Sequence, residues 1–182
     1  MPIDLKFCQR AAYYKIRKGQ AVEVLNLRIS REEILANDTA AKNQVDTRLI
    51  EEWQTRWDRS STGRTTHEFF PSIARRLVYN IELDYYVTQF LTGHGGFAYY
   101  LHKFNARNFT QDSDLCDCGQ TETADHILFG CPLLRRKRRR LVKAAVEITG
   151  EWPCAKENLV SDMRIFKEFR KFAKWYILWS HR

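Results

Sequence analysis

Apolar residues recur along this chain at helical spacing, with little sign of the alternation that marks strands. Leu5 to Arg17 is the first such run, and Gly19 ends it. From Arg31 to about Asp58, Val45, Leu49, Trp53 and Trp57 return every four residues, and Ile50 widens the stripe. Ser30 is placed as its N-cap, with Glu33 three residues on as the capping-box partner. "SSTGRTTHEFFP" interrupts the pattern, and its Thr and Phe density predicts a short extended piece. Pro71 and Ser72 open another helix. Its face runs through Ile73, Leu77 and Ile81 toward Phe90 and Leu91, with a break near Asn80. "TGHGG", Thr92 to Gly96, holds three of the chain's eight glycines, as a helix C-cap and tight turn require. Phe97, Tyr100, Leu101 and Phe104 then resume a helical face, so the turn is expected to join an αα-hairpin. Pro132 starts a helix to about Ile148, "GEWPC" is a loop, and a last helix runs from about Ser161 to Trp179.

Composition narrows the class. The chain has 182 residues, 44% of them hydrophobic and 13% aromatic, enough to build a core. No apolar run is long enough for a membrane span, and "MPIDLKFCQR" lacks a signal peptide's apolar stretch. A secreted or membrane-inserted protein is therefore not expected. In a reducing compartment, clustered cysteines point to metal more than to disulfides. The net charge of +8 is unevenly placed. Pro132 to Arg182 holds 14 Lys and Arg against 5 Asp and Glu, whereas the first 131 residues hold 16 against 17. A basic C-terminal third suits a polyanionic partner, most simply nucleic acid; it also serves solubility.

The densest chemistry is "CDCGQTETADHILFGC". Cys116, Cys118, His126 and Cys131 offer three thiolates and one imidazole, the ligand set of a tetrahedral structural zinc site. Gly119 permits a tight turn after the first pair. His126 sits in an expected helical turn that Gly130 ends, aiming Cys131 back. Four protein ligands leave no open position, so the zinc is expected to shape the chain and not to catalyse. The alternative is a chance cluster of buried or free thiols. Cys8 and Cys154 lie apart and are expected to be buried as small apolar residues. Asp112, Asp114, Asp117, Glu122 and Asp125 make the loop acidic, and three thiolates leave a zinc centre at about −1. Such a loop should repel phosphate.

"CPLLRRKRRRLVKAAVEI" follows. Leu134, Leu141, Ala145 and Ile148 share one helical face, with Val142 beside them. Arg135, Arg136, Arg139, Arg140 and Lys143 fall largely on the opposite face and are the candidate phosphate-binding residues. A solvated face or a nuclear localisation signal is the plainer reading. Arg138 falls within the apolar stripe and is expected to snorkel out or to pair with a buried acid, ahead of reaching an internal ligand. In the last helix Lys167, Arg170, Lys171 and Lys174 interleave with Phe166, Phe169, Phe172, Trp175 and Tyr176. Such aromatics are more often core than a stacking platform. No paired carboxylates at strand ends and no phosphate loop are found, so no catalytic residue is assigned.

Four stretches, taken in order, carry a family resemblance: "PIDLKFCQRAAYYKIRKG", "EEWQTRWDRSSTGRTTHEFFP", "QFLTGHGGFAYYLHKF" and "CDCGQTETADHILFGCP". The chain resembles the C-terminal region of the reverse-transcriptase polyprotein of arthropod non-LTR retrotransposons, type-1 rDNA-inserting or jockey-like. The likeness runs over roughly residues 2 to 132. It implies a Cys-Cys-His-Cys knuckle with Cys116, Cys118, His126 and Cys131 on zinc. It also implies a nuclear role in holding element RNA or target DNA during target-primed reverse transcription, with the polymerase domain and its aspartates upstream of Pro2. The expected fold is mainly α, a helical domain with a small structural zinc knuckle. Residues 1–58 form an N-terminal helical segment, 59–110 a linker and αα-hairpin, 111–132 the knuckle, and 133–182 the basic C-terminal helices. Readings of another class are a structural or protein-interaction zinc scaffold, or an inactive domesticated remnant.

Overall fold

Helices account for nearly all regular structure in the computed structural model, which describes residues 1–104 and 113–180. The chain divides into two units, Met1–Ser60 with Ser72–Leu77, and Ser61–Pro71 with the chain from Val78 onward.

The first unit pairs α1 (Ile3–Arg17) with α3 (Asp38–Arg59) and adds a hairpin of β1 (Val22–Val24) and β2 (Leu27–Ile29). Its core holds Leu5, Ala12 and Ile16 of α1, Val22, Val24 and Ile29 of the hairpin, and Ala41, Val45 and Leu49 of α3. These positions follow the 3.6 and 2.0 periods of their elements. Asp46 ties the two helices, accepting from Gln9 Nε2 and Tyr13 Oη at 2.6 Å each. The hairpin is a strand element that helical periodicity does not reveal. Its antiparallel register is Val22↔Ile29, Glu23↔Arg28 and Val24↔Leu27, around a two-residue turn with Leu25 at φ 53°. The expected long helix from Arg31 is two helices. The Ser30–Glu33 capping box forms, opening α2 (Arg31–Ala36). Asn37 then leaves helical geometry and accepts from the Ala40 amide at 2.9 Å, capping α3.

The second unit opens with a helix. Gly63, at φ 67°, precedes α4 (Arg64–Phe69), so "RTTHEF" is helical where an extended piece was expected. After α5 (Ile73–Val78), most of which belongs with the first unit, Asp84 accepts from the Val87 amide and caps α6 (Tyr85–Thr92). Gly93, at φ 70°, ends α6, and a Cβ on Gly95 would collide with the Gln89 side chain. Gln89 instead accepts from the Gly96 amide, fixing the turn into α7 (Ala98–Lys103). Then come α8 (Arg135–Thr149), α9 (Asn158–Ser161) and α10 (Met163–Ser180). α10 is the last helix expected from about Ser161, and Asp162 stands just before it, accepting from the Arg164 amide at 2.8 Å.

The core of this unit is centred on α10, which packs on α6, α8 and α9. Phe90 meets Phe97 edge-on at 5.0 Å, and Phe97 stacks on Tyr176 at 5.9 Å. Phe166, Phe169, Phe172 and Tyr176 are all buried. The aromatics of the last helix are therefore core, except Trp175, which is half-buried, and Trp179, which is largely exposed. Among the described residues no helix is long and apolar enough to cross a membrane.

Candidate metal centre and nucleic-acid interface

Between α7 and α8 the chain folds back on itself twice. Leu115 bridges Thr121, the Cys116 amide donates to the Gln120 carbonyl at 2.8 Å, and Gly119, at φ 83°, takes the turn. A wide π-helical turn, His126–Gly130, follows, and the Cys131 amide donates to the His126 carbonyl at 2.7 Å. That five-residue return carries Cys131 back beside the first pair of cysteines. The Thr123 hydroxyl accepts from the His126 amide at 3.0 Å and starts the turn.

The result is a four-point cluster. The ligand atoms of Cys116, Cys118, His126 and Cys131 all lie within 4.8 Å of one another. Cys116 Sγ and Cys131 Sγ are 3.7 Å apart, and Cys118 Sγ is 3.2 Å from His126 Nε2. Tetrahedral bonds of about 2.3 Å to sulfur and 2.0 Å to nitrogen put such atoms roughly 3.5–3.8 Å apart. The donor set and its spacing therefore fit one tetrahedral ion with small adjustments. Burial pushes the Cys116 thiol up to about 12, so a cation must displace its proton at neutral pH. The Gln120 amide, bonded to the Cys118 sulfur, holds that thiol below its ordinary range. Burial lowers the His126 imidazole, which favours the neutral form that a metal binds. Cys154 is buried and Cys8 half-buried, and neither belongs to the four-residue cluster.

Arg138 corrects the expectation made for it. It neither snorkels nor pairs with an acid. Only 6% exposed, its guanidinium donates to the Ile127 carbonyl at 2.9 Å and to the Cys131 carbonyl at 3.0 Å. Arg138 thus ties α8 to the π turn that delivers His126 and Cys131. Burial depresses its pKa, and the Cys131 sulfur opposes that depression. No charge partner was evident because its acceptors are backbone carbonyls, which every residue has.

The loop acids also divide. Glu122 Oε1 accepts from the Ala98 amide at 3.1 Å and from Tyr176 Oη at 2.8 Å, joining the knuckle to α7 and α10. Asp125 pairs with Lys156 at 2.7 Å, and Lys156 also meets Glu68 at 2.6 Å. Two of the acids read as phosphate-repelling are therefore fasteners. Asp112 lies outside the described residues.

Leu134, just before α8, and Leu141 and Ala145 on it are buried, while Arg135, Arg136, Arg139, Arg140 and Lys143 are all exposed. Lys143 approaches Glu147 at 3.7 Å. Among the described residues no acid pairs with the four arginines. The first turn of α8 carries no acid either, though a helix N-terminus favours one.

No family model matches the chain, and no solved structure matches it. Over 178 residues it is 29% identical to the retrovirus-related Pol polyprotein from type-1 retrotransposable element R1 4 of Nasonia vitripennis, covering 96% of this chain and 43% of that protein. Over 140 residues it is 35% identical to the corresponding R1 polyprotein of Bradysia coprophila, covering 73% of this chain and 13% of that one. Over 137 residues it is 32% identical to a putative 115 kDa protein in the type-1 element R1DM of Drosophila melanogaster, covering 72% and 13%. The chain thus spans less than half the length of each of these relatives.

Proposed function

The chain belongs to the family of Pol polyproteins from type-1 R1 retrotransposable elements, and from that premise we propose that it is a zinc-clipped nucleic-acid-binding region. Cys116, Cys118, His126 and Cys131 hold one zinc ion, which fills its coordination with protein and shapes the loop without reacting. The clipped loop fixes, through Arg138, the start of α8. That helix presents Arg135, Arg136, Arg139, Arg140 and Lys143 to the phosphates of element RNA or target DNA, in the nucleus, beside the polymerase of the same polyprotein.

One observation carries this reading: four arginines stand exposed and without acids on a single helix whose opposite face is buried. Cations in the first turn oppose the helix dipole, so they do not serve helix stability. A nearby polyanion accounts for their cost.

Binding measured across salt with the zinc-loaded chain tests it. Intact protein should lose affinity log-linearly with salt. Arg135, Arg136, Arg139 and Arg140 changed together to Gln should bind more weakly, with the slope reduced by about 0.7–0.9 for each phosphate no longer neutralised. Equal slopes for the two proteins, or no binding by either, favours a structural or protein-interaction scaffold.

A further inference from the structure

α8 and α10 do more than pack. Between them lies an open groove of about 340 Å³, edged by Arg136, Lys137, Arg139 and Arg140 of α8 and by Lys171 and Trp175 of α10. Leu141 and Phe172 contribute to its lining. We propose that this groove holds a single-stranded polynucleotide, with a base stacked on Trp175 and the flanking phosphates on the α8 cations. The proposal rests on the nucleic-acid reading above and adds strand state and a stacking residue to it.

Three observations converge on the groove. Its charge is nearly all of one sign: Glu168 is the acid in its lining, and Lys171 already meets that carboxylate at 2.6 Å. Arg136, Lys137, Arg139 and Arg140 have no acid partner among the described residues. Next, Trp175 does not behave like the aromatics around it. Phe169, Phe172 and Tyr176 are committed to the core, whereas Trp175 is half-buried and lines the groove. Its ring stacks nearly parallel to that of Trp179, 19° apart with centroids at 5.8 Å. Finally, Lys137 Nζ lies 5.1 Å over the Trp175 ring. That contact places the Trp175 ring face against an α8 cation at the groove. The lysine's flexible stem lets a base displace it and lets its ammonium move to a phosphate.

Strand state follows from the same geometry. A duplex keeps its base faces stacked inside and offers a recessed indole only phosphate and sugar. An unpaired base presents a free π face, and the groove volume falls at the lower end of the range of small-ligand sites. Because every base has such a face, little sequence preference is expected.

The test compares about twelve-nucleotide oligo-U and oligo-dT with a duplex of equal length, on the zinc-loaded full chain. The single strands should bind more tightly than the duplex, and the two single strands show which sugar is preferred. Trp175→Ala should weaken single-strand binding roughly tenfold while leaving duplex affinity and the salt slope unchanged. Neutralising Arg136, Arg139 and Arg140 should instead lower the slope by about 0.7 for each phosphate left without its cation. Since Trp175 also packs near Phe172, Trp175→Phe guards against misfolding. Oligonucleotide quenching of tryptophan emission should shrink in that variant, with its melting temperature retained. Single strand and duplex bound equally, with both Trp175 variants like the parent, overturns the groove and leaves the phosphate-binding reading standing. Absence of all binding overturns both.

Discussion

Arg138 shows how much one side chain decides here. Its two bonds satisfy carbonyls of the ligand-bearing turn, and its charge sits beside a site that three thiolates would make anionic. Arg138→Met leaves the Ile127 and Cys131 carbonyls with fewer donors, at about 1–3 kcal/mol for each buried group. The expected outcomes are a lower melting temperature and weaker zinc retention in a chelator competition. Arg138→Lys should recover only part of both, since one ammonium cannot reproduce the fork of a guanidinium. Unchanged zinc retention in Arg138→Met would remove this residue from the account of the site. Glu122 makes the same point from the acidic side. By composition it is one of several surface acids, yet it anchors Ala98 and Tyr176.

At the scale of elements, the metal and α8 are expected to be coupled. Metal binding is folding energy, roughly 10–16 kcal/mol in small zinc modules, and less shows where a core already holds the loop. Chelation should therefore raise hydrogen exchange or proteolysis first in residues 116–140, ahead of the middle of α10. Equal protection with and without chelator would refute the clip. A second junction joins α6 to α10, where Asp84 caps α6 and meets Arg170 Nε at 2.6 Å. Burial raises the Asp84 carboxyl, but the Val87 amide and the Arg170 guanidinium outweigh it, leaving the pKa below its ordinary value. A carboxyl lowered by folding stabilises the fold above its unfolded pKa, and that contribution is lost as pH falls through the lowered value. Melting curves from pH 6 down to 3 should show this loss in the native protein and a shallower dependence in Asp84→Asn. Identical pH dependence in the two would show that this junction contributes nothing.

For the whole molecule, metal content is the simplest check: about one zinc per chain, falling in Cys118→Ser. The two units have separate cores, with Leu49 fully buried in one and Phe169 in the other. Leu49→Ala should cost about 2–5 kcal/mol of stability and leave zinc content near one per chain. A concurrent loss of zinc would argue that the units fold as one.

The spans of α1, α8 and α10, the capping box at Ser30, the glycine turn at Gly93 and the four clustered metal-type ligands were all legible in the sequence. Each depends on neighbours within one turn or one loop, where spacing fixes geometry. The "VEV" and "LRI" alternation of the hairpin was also present, but three residues per strand are too few for periodicity to register. Other features needed the tertiary structure. Arg138 found backbone acceptors, Glu122 tied the knuckle to Ala98 and Tyr176, and Asp125 paired with Lys156. Four aromatics of α10 went to the core while Trp175 was left at a groove. These outcomes depend on partners distant in the chain, Glu122 with Tyr176 or α8 with α10, and such proximity has no signature in local pattern or composition.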